Sequence, residues 1–280
     1  MSDQIYLIME KLNYLIFIAL APVLLLFAFI AKKSEKISIE NQEKSEWQLL
    51  FNGEDLSGWI PKIHHHPSGE NYANTFRASA GILEVNYSDY ETFDNRYGHL
   101  FYEQAFSSFH LTWEYRFTDQ WLADAPIYTY RNSGVMFHSQ SPESILLEQD
   151  WPISVEYQML AQEKEGVARP TGNMCSPGTD VVFEGKIDPR HCIESSSPTF
   201  KWDEWIRADL IVFGDSIVHH LVNGDTVLTY ALPQIGGGVA NRFDPDFKVD
   251  GKPLNSGYIG LQSEGQGVLF KEIKIRDLSK

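Results

Sequence analysis

The sequence predicts an all-β sandwich preceded by one hydrophobic N-terminal helix. Three observations carry that prediction. Runs of Val, Ile, Phe, Tyr and Trp recur from Trp47 onward, several of them apolar at every second position. Clusters of Gly, Asn, Asp, Pro and Ser separate the runs at short intervals. After the leader no segment has the spacing of an amphipathic helix, and no internal repeat points to a propeller.

The bulk properties fit such a domain. Of 280 residues 43% are hydrophobic and 13% aromatic, ample for a core. A formal net charge of −15 repels polyanions, so nucleic acid is not an expected partner, whereas neutral ligands such as sugars remain open.

Taken in order, Tyr14 to Ala31 ("YLIFIALAPVLLLFAFIA") runs without a charge and stops at Lys32-Lys33. It is near the lower length limit for a membrane span and longer than a usual signal-peptide core. Phe29 stands where a small residue would precede a cleavage site after Ala31, and the leader holds no Cys for a lipid anchor. Residues 1–31 are therefore expected to be a signal peptide or membrane anchor. The protein is then exported, periplasmic or membrane-anchored, and meets the membrane through this segment only. Lys32, Lys33 and Lys36 pull the other way under the positive-inside tendency. Residues 32–45 are charged, lack aromatics and read as a tether; residues 46–280 read as one sandwich domain.

Within that domain, "FHLTWEYRF" puts Phe109, Leu111, Trp113, Tyr115 and Phe117 on one face of a strand. In 131–138, Asn132, Gly134, Met136 and His138 share a side opposite Ser133, Val135 and Phe137. In 153–160, Ser154, Glu156 and Gln158 oppose Ile153, Val155, Tyr157 and Met159. Arg131 falls on the other parity from Asn132, at the start of its strand, where a bulge could re-aim it. If the two strands are neighbours, Asn132, His138, Glu156 and Gln158 gather on one polar patch; the plain alternative is the wet face of an antiparallel sheet. Cys175 and Cys192 are the only cysteines and form no C-x-x-C pattern, so in an exported chain they are expected to pair as a disulfide. "SIVHHLVNGDTVLTY" reads as a hairpin turning at Asn223-Gly224, and "GVLFKEIKIRDL" as a closing strand.

Several of these stretches also carry a resemblance. "LLFNGEDLSGW" (49–59), "RNSGVMFH" (131–138), "SVEYQML" (154–160), "HHLVNG" (219–224) and "GYIGLQSEGQGVLFKEIKIRDL" (257–278) resemble the 3-keto-disaccharide hydrolase domain family, over roughly Trp47 to Leu278. "HHHPSGEN" (64–71) and "TGNMCSPGT…HCIESSSPTF" (171–200) resemble segments of a subset of that family, in which the two cysteines are expected to pair. The resemblance implies a concanavalin A-like jelly-roll sandwich acting on glycosides oxidised at C3. A ketone at C3 acidifies the C2 proton. Its removal lets the C1–oxygen bond break by elimination, and water then adds to the enone. Such a route needs one general base near C2 and donors around the C3 oxygen.

On this basis Glu156 and His138 are the expected bases, and Arg131 and Asn132 donors to the ketone or enolate. Gln158 is expected to orient a sugar hydroxyl, with His65, Arg169 and His191 lining the cleft. His64-His65-His66 invites a metal, but neighbours in an extended chain point apart, so a rim loop contacting sugar is the expectation and no metal ligand is assigned. No catalytic cofactor is expected; a structural calcium ion in a loop is compatible with the fold. Glu148 and Asp150 begin an E-x-D pattern, but Pro152 interrupts the strand before Glu156, which argues against a standard retaining carboxylate pair. The rival from another class is a non-catalytic, lectin-like carbohydrate-binding module.

Overall fold

Alternation of apolar and polar residues sorts the chain onto two antiparallel sheets. The computed structural model describes residues 46–279; the predicted leader and tether lie outside the described residues. One sheet has ten strands in the order Lys186–Ile187, Thr179–Phe183, Asp225–Ile235, Ile217–Val222, Ile206–Phe213, Ser108–Trp121, Gln266–Asp277, Ile82–Val85 and Phe76–Ser79, with Gln48–Leu49 pairing on Gln266–Asp277. The other has seven, in the order Cys192–Ile193, Asn173–Cys175, Val155–Leu160, Asn132–Ser139, Tyr258–Ser263, Gly98–Tyr102 and Trp59–Ile63. The predicted jelly-roll β-sandwich is what forms. Among the described residues no helix is long and apolar enough to cross a membrane.

The inner faces carry the residues that the alternation selects. Phe109, Leu111, Trp113, Tyr115 and Phe117 of the larger sheet meet Val135, Phe137, Val155, Tyr157 and Met159 of the smaller, all of them buried. The Trp113 and Tyr157 rings lie 4.9 Å apart edge to face, and the Trp113 indole points at the Met159 sulfur. Polar groups trapped in this layer find partners: the Tyr157 hydroxyl donates to the Leu221 carbonyl at 2.9 Å, and His220 bridges the Gly172 carbonyl and the Tyr230 hydroxyl. The hairpin at Asn223-Gly224 turns as expected, with both residues at positive φ, 50° and 92°.

Segment 173–193 spans both sheets. Asn173–Cys175 and Cys192–Ile193 pair at the edge of the smaller sheet, while Thr179–Phe183 between them pairs with Asp225–Ile235 of the larger. Cys175 and Cys192 stand directly opposite in register and form the expected disulfide. The bridge closes a span of 17 positions, worth about 3 kcal/mol through the chain entropy of the unfolded state. The double variant Cys175→Ala/Cys192→Ala is expected to fold but to lose about that amount in urea unfolding. A loss under about 1 kcal/mol would mean that the bridge constrains the unfolded chain little.

Candidate functional site

Because Val135, Val155, Tyr157, Met159 and Leu261 point into the core, their neighbours along each strand must point outward. Asn132, Glu156, Gln158 and Gln262 do so, and form the floor of a cleft of about 560 Å³. Its walls come from distant loops: Tyr128 and Trp151 on one side, Glu163 and Arg169 on another, and the Cys175–Cys192 bridge with His191 on a third.

Two carboxylic acids define the floor. Strand Asn132–Ser139 runs between Val155–Leu160, which carries Glu156, and Tyr258–Ser263, which ends just before Glu264. Gly134 lies between them. A side chain there would fall 2.8 Å from the Glu156 Cδ, so the missing methyl is what lets the carboxyl lean over this strand. Glu156 is 6% exposed, and burial together with the neighbouring Glu264 charge pushes its carboxyl well above the usual range. Glu264, 3% exposed, accepts from the Trp151 indole at 2.8 Å and from the Asn132 amide at 3.3 Å. Burial raises it to about 7, with the indole bond pulling the other way. Like charges this close cannot both ionise cheaply, so near neutral pH Glu156 keeps its proton while Glu264 sits poised to lose one.

The surrounding groups suit a polyhydroxylated ligand. The side-chain oxygens of Asn132 and Gln262 are buried without a partner among the described residues, leaving two acceptors free for hydroxyl donors. Gln158 accepts from the Asn173 amide at 3.0 Å, which turns its own amide N–H group free as a donor. Tyr128 and Trp151 add aromatic surface to the lining, of the kind a pyranose packs against. Donors, acceptors, aromatic surface and a poised acid pair thus share one hollow.

The chain matches the model of the 3-keto-alpha-glucoside-1,2-lyase-like domain over residues 46–276. It belongs to that family. Membership supports a carbohydrate-related function and a carbohydrate ligand for the lyase-like domain. Among solved structures, a candidate glycosyl hydrolase from Parabacteroides distasonis is similar at 17% identity and a TM-score of 0.51, covering 83% of this chain and 100% of that one. A second from the same organism is similar at 21% identity and 0.49, covering 86% and 97%. Carbohydrate-binding module CBM66 from Bacillus subtilis is similar at 9% and 0.44, covering 79% and 96%. The first of these shares the sandwich fold. No curated protein matches the chain.

Of the residues expected from sequence to act together, the lyase-like domain brings Glu156, Gln158, Asn132, Arg169 and His191 to the cleft. His138 goes elsewhere. Met136 pairs with Gly260 and Ser139 with Tyr258, so two residues of one strand oppose one of the other. At this bulge His138 takes φ +47° and turns from the outer face towards Phe109 and Phe137 in the core. Its Nε2 lies 3.0 Å from the Gly214 carbonyl, and burial lowers its pKa to about 4. Uncharged and walled off, it is a core side chain and not a lining one.

Arg131 is also outside the lining. Its guanidinium bonds the Gln162 carbonyl and rests on the Tyr130 and Trp202 rings at 4.9 and 5.5 Å. Arg169 does line the cleft, but one nitrogen serves the carbonyls of Tyr130, Arg131 and Ala161 while another pairs with Glu163, so it braces the wall. His65 sits on a separate loop against Glu148. Asp150, half of the rejected E-x-D pattern, holds the backbone and amide of Asn241. The stretch "GLQSEGQG" holds Glu264 with no local mark of burial; the Trp151 indole and the Asn132 amide, both far along the chain, identify its place.

Proposed function

We propose that the protein cleaves 3-keto-glycosides with Glu264 as general base and Glu156 as general acid. The observation that carries this reading is the buried pair itself: two carboxyls on the floor of one cleft, one held ionisable near neutrality and one held protonated. Glu264 takes the C2 proton, and the C–H electrons form the enolate of the C3 ketone. The enolate collapses to restore the carbonyl, a C1–C2 double bond forms, and the C1–oxygen bond breaks as Glu156 protonates the departing oxygen. Adding water reverses the proton inventory. Glu156, now a carboxylate, draws a proton from the water that attacks C1, and Glu264 returns its proton to C2. Both residues end as they began, and the net reaction is hydrolysis. Gln158, whose oxygen is taken by Asn173, is the cleft-lining group that turns an amide N–H towards the C3 oxygen as charge develops.

The test offers the purified protein a 3-keto-glucoside and its unoxidised parent. Release of the aglycone from the oxidised sugar alone is the expected result. Release from both would make the carboxyl pair that of an ordinary glycosidase. Binding of both without turnover would make the cleft that of a carbohydrate-binding module. The same proposal sets the domain outside the cytoplasm, a placement supported by the disulfide, which persists in oxidising compartments.

A further inference from the structure

The loop after strand Trp59–Ile63 holds a second constellation, apart from the cleft lining. Consecutive side chains on an extended chain diverge, but His65 has φ +72°, and this left-handed residue folds its ring onto that of His64. The rings stack with centroids 3.7 Å apart and planes 23° from parallel. Glu148 reaches the same spot from another loop, and one ligand atom from each of His64, His65 and Glu148 lies within 4.8 Å of the other two.

Their bonding leaves one imidazole nitrogen without a partner and turns the other two groups towards each other. The Nδ1 of His64 lies 2.8 Å from the Asn95 carbonyl, which fixes the proton on that nitrogen and leaves a lone pair on Nε2. Nε2 is buried with no partner among the described residues, in a side chain only 8% exposed. A buried lone pair without a donor is costly unless something electrophilic meets it. A metal-bound imidazole has this arrangement: one nitrogen on a carbonyl, the other on the ion. The Nδ1 of His65 lies 3.3 Å from Glu148 Oε1, while Oε2 is 3.3 Å from the Arg242 guanidinium, so one carboxylate oxygen is anchored and the other faces the histidines.

We propose that His64, His65 and Glu148 bind one divalent cation of borderline softness, zinc or a near neighbour. Two imidazoles and one carboxylate make an N₂O set that completes a tetrahedron with water; calcium and magnesium prefer all-oxygen sets. Ligand atoms on a tetrahedral zinc stand about 3.4 Å apart; the His65–Glu148 pair already stands at 3.3 Å, so closure asks the two stacked rings to swing apart until their lone pairs converge. The ion would join two loops already linked by the His65 N–H to Leu147 carbonyl bond, and the second of these loops leads to Trp151, which holds Glu264. The site therefore clips the loop that positions the base, and it stands or falls separately from the proposed chemistry.

The experiment titrates zinc chloride into the chelator-stripped full chain by calorimetry and follows the thermal midpoint in parallel. His65→Ala and Glu148→Gln serve as variants because both side chains are exposed and their loss leaves the core untouched. One equivalent of zinc is expected to bind the parent and to raise its midpoint with concentration. Each variant is expected to weaken binding by at least about tenfold, and calcium chloride to raise no midpoint. Absence of saturable zinc binding to the parent, or unchanged binding in either variant, overturns the assignment.

Discussion

Glu264→Gln is expected to lower turnover of a 3-keto-glucoside by about 10² to 10⁴-fold, the usual cost of losing a general base. The amide keeps the shape of the side chain and an oxygen for the Trp151 indole, so the loop that packs on it has no reason to move. What it loses is the capacity to take a proton from carbon. The pH dependence separates that loss from a merely misplaced side chain. In the parent, kcat/KM is expected to climb as Glu264 ionises near pH 7 and to fall at higher pH as Glu156 gives up its proton. The variant lacks the rising limb. A variant that keeps more than about a tenth of the parent rate, with the limb intact, would move the base elsewhere.

Glu156→Gln is expected to act on two measurements at once. As the acid, Glu156 matters in proportion to how badly the departing oxygen needs a proton. The variant should therefore lose about 10² or more against an alkyl or sugar aglycone and far less against 4-nitrophenol. Equal losses on both would assign Glu156 to binding. The second measurement is stability. A carboxyl whose folded-state pKa lies above its unfolded value is protonated longer in the fold, so stability is fully present at low pH and drains away as pH rises through the folded value. For Glu264 the window runs from 4.5 to about 7, on the order of 3 kcal/mol. The Glu156 window extends further up, since its carboxyl is raised well above 4.5. A neutral amide at 156 removes that residue's share. The variant's melting temperature is expected to match the parent's near pH 4 and to exceed it at pH 8. A fixed difference across that range would mean that Glu156 does not titrate with folding.

Period-two reasoning reached far into this molecule because both faces of most strands are strongly distinguished. Tyr157 and Met159 against Glu156 and Gln158, or Val135 against Asn132, leave one register that keeps charge out of the core, and the structure adopts it. The same reasoning missed His138. Its own strand reads as unbroken alternation, and the extra residue that re-aims it exists only relative to Tyr258–Ser263, a partner more than a hundred positions away. Glu264 was hidden for a related reason. A glutamate at a strand end, next to Gly265 at φ +91°, has the local signature of a solvated turn. Its burial is conferred by Trp151 and Asn132, neither of them near it in sequence. Local pattern reveals which way a side chain points; it does not reveal what arrives to cover it.

The segment from Asn173 to Ile193 is closed on itself by the disulfide and the Cys192–Ile193 pairing, is laced to one sheet where Asn173–Cys175 pairs with Val155–Leu160, and to the other by the ladder of Thr179–Phe183. Swinging this wall outward would tear backbone bonds on both sheets together, so it cannot serve as a gate. On this side the hollow consequently meets each saccharide as a finished mould. Discrimination among sugars then falls to contour and to the few groups on the floor, and little of the binding energy is spent on assembling the receptacle.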